Sequence, residues 1–230
     1  RHASQTQPPA TPRIAKSQIA VCWGRTTAGI AARMPTGWTR ELEVIQTNGG
    51  PSFVPGNPVG DSLHVMAASG NGTVRGLAAP TILDDAGAAK MLRIDRSVAN
   101  TFKAAESSRI MLFSPGSVNA NSVLVQSGYL SAEQMQQMKS VGVAGDVMSH
   151  FITATGDLAD PDLDSRTLSM NLDAVRRCPN AIAVSVGPQK AEITRAVVTS
   201  GLCSALIVDS TIAESLLSAP NISHEEDIGS

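Results

Sequence analysis

Short runs that are apolar almost throughout recur along the chain and alternate with amphipathic segments; this alternation constrains the fold more than any other feature. Residues 19–23 (IAVCW), 41–47 (ELEVIQT), 73–80 (TVRGLAAP), 109–113 (RIMLF), 181–187 (AIAVSVG) and 205–210 (ALIVDS) read as strands, and 141–148 (VGVAGDVM) is again extended. Helices are predicted over 26–34, 61–69, 97–107, 131–140, 171–178, 189–200 and 211–217. In 97–107, Val98, Phe102 and Ala105 share one helical face, and Ser131 with Gln134 forms a capping-box pattern at the start of 131–140. A strand with one wet face would alternate apolar and polar residues. Strands apolar throughout need cover on both faces, and intervening helices supply it while making neighbouring strands parallel. The expected fold is α/β, a doubly wound, mainly parallel sheet between two helical layers.

The chain has 230 residues, 42% hydrophobic and 17% charged, enough to bury a substantial core. A net charge of −2 argues against nucleic acid or an anionic membrane surface as a direct partner. The three cysteines, Cys22, Cys178 and Cys203, are widely separated and show no C-x-x-C spacing, so neither a disulfide framework nor a zinc site is expected and a reducing, cytoplasmic setting fits. The histidines (His2, His64, His150, His224) are scattered, and neither a metal nor another cofactor is expected. No apolar run reaches the ~18 residues of a membrane span. Polar residues 1–13 and 219–230 read as disordered tails around one domain over 14–218.

In sheets of this class ligands gather at the carboxyl ends of strands, so strand exits carry the functional information. Gly24-Arg25-Thr26-Thr27 follows the first strand, with a turn residue, a guanidinium, two hydroxyls and helix-start N–H groups together, a combination suited to phosphate. The bland alternative is that Gly24 only turns the chain and Thr26 only caps a helix. Gln46, Asn48 and Gly49 leave the second strand, Ser114-Pro115-Gly116-Ser117 the fourth, and Gly187-Pro188-Gln189-Lys190 the run 181–187. Lys190 falls in the first turn of its helix, where the macrodipole disfavours a cation unless an anion is near.

WGRTT, NGG, LAAP, FSPGS, SGYLS, VGVAGDV, ATGDL and the run from DLDSRTLSMNL to ALIVD, in this order and spacing, resemble the effector-binding domain of SorC-type (DeoR-like) sugar-binding transcriptional regulators over residues 14–217. The resemblance implies a three-layer α/β/α sandwich like those of glucosamine-6-phosphate deaminase, ribose-5-phosphate isomerase and the CoA transferases. It implies a phosphorylated sugar as effector, and a homo-oligomer whose DNA contacts come from a helix-turn-helix domain absent from this chain. By the same resemblance Gly24, Arg25, Thr26 and Thr27 form the phosphate loop and Gln46, Asn48 and Gly49 contact the sugar. Gly116 and Ser117, Gly145 with Asp146, and Gly187 with Lys190 match further family positions. Some relatives carry a Schiff-base lysine at what corresponds to Asn48, chemistry an amide cannot perform. Pro115 removes an N–H donor from a loop that is richer in glycine in the family.

Two other classes of function compete. An isomerase or deaminase of the same fold needs an acid and a base near the sugar, with Asp146, Asp164 and His150 as candidates. Their bland alternatives are a turn cap after Gly145, a pair between Asp164 and Arg166, and a packed imidazole. A CoA transferase needs a glutamate at a strand exit, whereas Glu41 and Glu43 enter a strand. An interaction module with a vestigial pocket is the third reading. Homo-oligomerisation is expected from the amphipathic segments 131–140 and 171–178.

Overall fold

The computed structural model describes residues 17–50 and 61–218; the expected tails lie outside the described residues. β1 (Gln18–Val21) leads through α1 (Arg25–Ala31) to β2 (Glu43–Gln46), and α2 (Ser62–Ser69) leads on to β3 (Thr73–Arg75). The chain then crosses back through α3 (Ala86–Ile94) and α4 (Arg96–Glu106) to β4 (Ile110–Phe113). Next come α5 (Val123–Gln126), α6 (Ala132–Ser140), β5 (Val143–Val147), β6 (His150–Thr153), α7 (Pro161–Arg166) and α8 (Leu172–Arg177). β7 (Asn180–Ser185), a 3-10 turn at Pro188–Lys190, α9 (Ala191–Thr199), β8 (Ala205–Val208) and α10 (Ser210–Leu217) complete the described chain.

Six strands pair in parallel in the order β3–β2–β1–β4–β7–β8, as expected for a doubly wound sheet. Strand residues alternate between two cores. Ala20, Ile45, Met111, Phe113, Ala181 and Ala183 pack against α4, α8 and α9; Val21, Val44, Leu112 and Val184 face the side that carries α1 and α2. Fully buried side chains such as Phe113 and Ile45 contribute about 1.5–3 kcal/mol each.

The segment 141–148 departs from the expectation. It is no member of the parallel sheet but pairs antiparallel with β6 as a separate hairpin. Val147 pairs with His150 across a two-residue turn, Met148-Ser149, whose φ angles of 53° and 72° are both left-handed. That turn geometry matches the strand twist, and neither residue is the glycine or asparagine it normally recruits. The hairpin, α5, α6 and α7 share a third core with Trp23, Leu124, Met135, Met138, Val143, Phe151 and Leu163. This lobe stands over the carboxyl end of the sheet.

Helix starts follow local chemistry. The Ser131–Gln134 capping box forms in both directions, and Asp209 caps α10. Helices α3 and α7 lack long periodic patterns and do not stand out in the sequence, yet Asp85 and Asp160 cap them and Pro161 takes the first turn of α7. The apolar faces of α6 and α8, expected to mark an oligomer contact, point inward: Met135, Met138, Leu172, Ala174 and Val175 are buried. Among the described residues no helix is long and apolar enough to cross a membrane.

Candidate functional site

The exits of β1, β4 and β7 open into a cleft of about 720 Å³ beneath the lobe, where parallel sheets gather ligands. Gly24, Arg25 and Thr26 form one wall, Ser114–Ser117 with Asn119 and Asn121 another, and Gln189 with Lys190 a third; Cys22, Asn48, Asp146 and Ser149 also line it.

Two cations meet here. Lys190 reaches in from the 3-10 turn before α9 and donates from Nζ to Ser114 Oγ at 2.8 Å. Arg25, at the first residue of α1, donates from Nη2 to the Asn121 carbonyl at 2.8 Å, across the cleft mouth. Among the described residues neither forms an ion pair. Burial pulls the Lys190 ammonium below the ordinary lysine range; Asp146 draws it back up and Arg25 presses it further down. Burial likewise lifts the Asp146 carboxyl, opposed by the Ser149 N–H, Lys190 and His150. A bound anion would relieve the strain on Lys190.

Asp146 is held by a reciprocal backbone pair with Gly116, both bonds 2.8 Å, and its Oδ2 accepts the Ser149 N–H at 3.0 Å. Asn48 donates from Nδ2 to Ser149 Oγ at 3.2 Å. The buried hairpin turn therefore positions an acid, an amide and a hydroxyl together. A Cβ at Gly116 would run into the Asp146 carboxylate, so a larger residue there would displace that side chain.

The structure brings Gly24, Arg25, Thr26, Asn48, Gly116, Ser117, Asp146 and Lys190 to one cleft, as their strand-exit positions predict. Four other expected ligand residues do not line the cleft and are bonded within the fold. Thr27 is buried and its hydroxyl donates to the Cys22 and Gly24 carbonyls, pinning α1 to β1. Gln46 is also buried: its amide donates to Asn48 O and accepts the Leu77 N–H, stitching the exit of β2 to the segment after β3. Gly49 donates its N–H to Leu168 O and accepts from Trp23 Nε1 and Thr81 Oγ1. Gly187 is a turn residue at φ 97° whose N–H bonds Asp209 Oδ2. Asn119, Asn121 and Ser149 carry no comparable signal in the sequence. The asparagines belong to a loop without periodicity, and Ser149 reaches the cleft only because the β5–β6 turn carries it there.

A family model described as "Putative sugar-binding domain" matches residues 14–218. The chain belongs to that family. Its relatives include the deoxyribonucleoside regulator of Bacillus subtilis, 27% identical over 86% of this chain and 64% of that protein. The erythritol catabolism regulatory protein EryD of Brucella abortus is 25% identical over 88% and 64%. This chain thus spans less than two thirds of either relative. The fold is shared with a DeoR family transcriptional regulator from Listeria monocytogenes (TM-score 0.79, 20% identity, 88% of this chain and 80% of that one). It is shared too with the full-length sorbitol operon regulator SorC from Klebsiella pneumoniae (TM-score 0.77, 19%, 88% and 67%).

Within this sugar-binding domain the candidates for acid–base chemistry are divided. Asp146 lines the cleft just described, whereas His150 and Asp164 line a second one of about 550 Å³ behind the hairpin. There His150 Nδ1 meets Asp164 Oδ1 at 2.5 Å and Nε2 meets the Met170 carbonyl at 2.9 Å. Asp164 pairs with this packed imidazole and not with Arg166, whose ion pair is with Asp162. Glu43 opens β2 at the end of the strand away from the cleft, where Gln18 and Arg75 bind its carboxylate. The Cys22 thiol is pushed up by burial, and Asp146 adds to the rise, so it stays protonated.

Proposed function

We propose that the first cleft binds a phosphorylated sugar and that the domain senses this effector without turning it over, within an oligomeric transcriptional regulator. The observation that carries the reading is the meeting of Lys190 and Arg25, cations without an ion-pair partner among the described residues, in one cleft of a chain whose net charge is −2. Phosphate fits such a pair, one a compact charge and one a planar fork. Thr26 adds a hydroxyl beside Arg25, while Asn48, Asp146, Ser117 and Ser149 offer the mixed donors and acceptors that sugar hydroxyls need. The relatives' names, for a deoxyribonucleoside, erythritol and sorbitol, point to polyhydroxylated effectors as a class.

Binding without chemistry is supported by the division of titratable groups: Asp146 has neither His150 nor Asp164 in its cleft, and Cys22 is no thiolate. DNA contact falls to a separate domain in this reading. The test is a thermal-shift panel of phosphorylated sugars against their free counterparts. At least one sugar phosphate should raise the melting temperature while its free sugar does not. Equal shifts from both members of every pair would refute the phosphate assignment, and conversion of the ligand at an enzyme-like rate would refute the sensor.

A further inference from the structure

The second cleft, of about 550 Å³ and bounded by α3, β6, α7 and α8, has a chemistry opposite to that of the first. Its cations are already engaged. Arg93 donates from Nη1 to the Ser169 carbonyl at 2.9 Å and from Nη2 to the Thr167 carbonyl at 2.5 Å. Arg176 donates from Nη1 to Asp173 Oδ1 at 2.8 Å and from Nε to the Ser200 carbonyl at 3.2 Å. Both ring nitrogens of His150 are taken, by Asp164 and by the Met170 carbonyl. The carboxylates are only half engaged. Asp157 uses Oδ2 to accept from Thr155, Asp164 uses Oδ1 toward His150, and Asp173 uses Oδ1 toward Arg176. Each therefore keeps one oxygen without a partner among the described residues. Asn171 caps α8 through Oδ1, which leaves its amide nitrogen free to donate.

Ser169 singles this cleft out. It lines the cleft, is 0% exposed, and its hydroxyl has no hydrogen-bond partner among the described residues. The chain cannot shift to give it one. The Ser169 carbonyl holds Arg93, and on either side the Leu168 carbonyl accepts from Gly49 while the Met170 N–H donates to Thr47. A buried hydroxyl without a partner has lost its hydration uncompensated, and a ligand that bonds it restores the balance.

We propose that the second cleft binds an uncharged polyhydroxyl compound, at a site separate from the first cleft. Its hydroxyls donate to the free oxygens of Asp157, Asp164 and Asp173 and accept from Asn171 Nδ2 and Ser169 Oγ, the mixed pattern that a hydroxyl alone can meet from both sides. Leu158, 44% exposed, adds apolar surface for the carbon chain. A phosphate would face three carboxylates, and an ammonium would face the guanidiniums of Arg93 and Arg176. Among the described residues no group of three or more His, Cys, Asp or Glu side chains is arranged to hold a metal ion, so a cation centre does not explain the carboxylates. The two clefts stand back to back, since Ser149 lines the first and His150 the second, and Asn48 of the first forms a β-bridge with Ser169 of the second. Binding in the second cleft does not rest on the sensor reading of the first.

Calorimetric titration of the intact chain with ribitol, xylitol and mannitol at millimolar concentrations tests the proposal, with butylamine as the cationic comparison. At least one polyol should bind saturably. Asp157→Ala and Asp173→Ala should each weaken it at least about tenfold, the loss of one charge-assisted hydrogen bond. Ser169→Ala should also weaken it, yet melt no lower than the parent without ligand, because the hydroxyl has no partner to lose; a merely structural role would lower the melt. Val141→Ser, exposed at the end of α6, should bind like the parent. Backbone amide resonances should shift around residues 156–158 and 169–173. Circular dichroism melts establish which variants are folded, and the folded ones decide. Failure of all three polyols to saturate, parental affinity in a folded carboxylate variant, shifts confined to residues 24–26 and 114–117, or tighter binding of butylamine than of every polyol would each overturn the assignment. The sensor reading stands or falls separately, on the shifts that a sugar phosphate produces at the first cleft.

Discussion

Replacing Lys190 with methionine removes the ammonium while keeping most of the side chain's volume. In the unliganded domain the loss is small, because one hydrogen bond to Ser114 Oγ disappears together with a charge that burial already disfavours. Toward a phosphate the loss is larger. A charge-assisted hydrogen bond contributes about 1.5–3 kcal/mol, which corresponds to roughly 10- to 150-fold in affinity. With ligand at about one hundred times the parent Kd, the parent gains about 2.7 kcal/mol. For a domain of this size that is a melting shift of roughly 5–11 °C. A variant with hundredfold weaker binding is half-saturated at that concentration and gains only about 0.4 kcal/mol, a shift of roughly 1 °C. The pH dependence carries a second signature. Because folding lowers the Lys190 pKa and phosphate draws it back up, binding takes up protons, so affinity in the parent falls as pH climbs through the lowered value. Lys190→Met should lack this alkaline limb but keep the acid limb set by the phosphate's own ionisation near pH ~6. Parallel differential scanning fluorimetry and calorimetric titration from neutral to alkaline pH read both effects. A variant with parental affinity, or one that keeps the alkaline limb, would refute the anion role of Lys190.

Thr26→Asp should abolish the ligand-induced shift by placing like charge against the phosphate, with the unliganded melt within about 1 kcal/mol of the parent because Thr26 is only partly buried. Thr27→Val should do the reverse, costing about 1–3 kcal/mol in denaturant unfolding by removing the buried hydroxyl's bonds to the Cys22 and Gly24 carbonyls, while a saturating effector still stabilises the protein. Folding raises the Asp146 pKa, so its charge destabilises the unliganded domain above the ordinary carboxylate range and ceases to do so in acid. Asp146→Asn should therefore melt at or above the parent at neutral pH, lose that advantage below pH ~4, and bind effector less tightly. His150→Gln should lower stability by about 1–3 kcal/mol through its lost contacts with Asp164 and the Met170 carbonyl, and leave effector affinity within a few-fold.

The layered architecture is legible in the sequence because it follows from local patterning. IAVCW, RIMLF and AIAVSV are apolar on both sides of the strand and call for cover on both faces, and the segments between them have the spacing of helices; the parallel sheet is the arrangement that satisfies both. The Ser131–Gln134 cap is equally visible, being a contact between residues three apart. The exits that build the cleft are legible for the same reason: a strand's end is a local event, and Arg25, Asn48, Gly116 and Lys190 follow theirs directly. What the sequence leaves open depends on contacts distant along the chain. Thr26 and Thr27 are adjacent and both carry hydroxyls, yet only packing against β1 turns one inward and leaves the other at the cleft. Asn48 and Ser149 meet across 101 positions. The strand 143–147 reads like its neighbours but is drawn into a hairpin by residues 150–153, and this pairing brings Asp146 and Ser149 into the first cleft while His150 lines the second. Local propensity decides which segments are strands and helices; long-range packing decides which faces they share, and so which polar groups meet in one cleft.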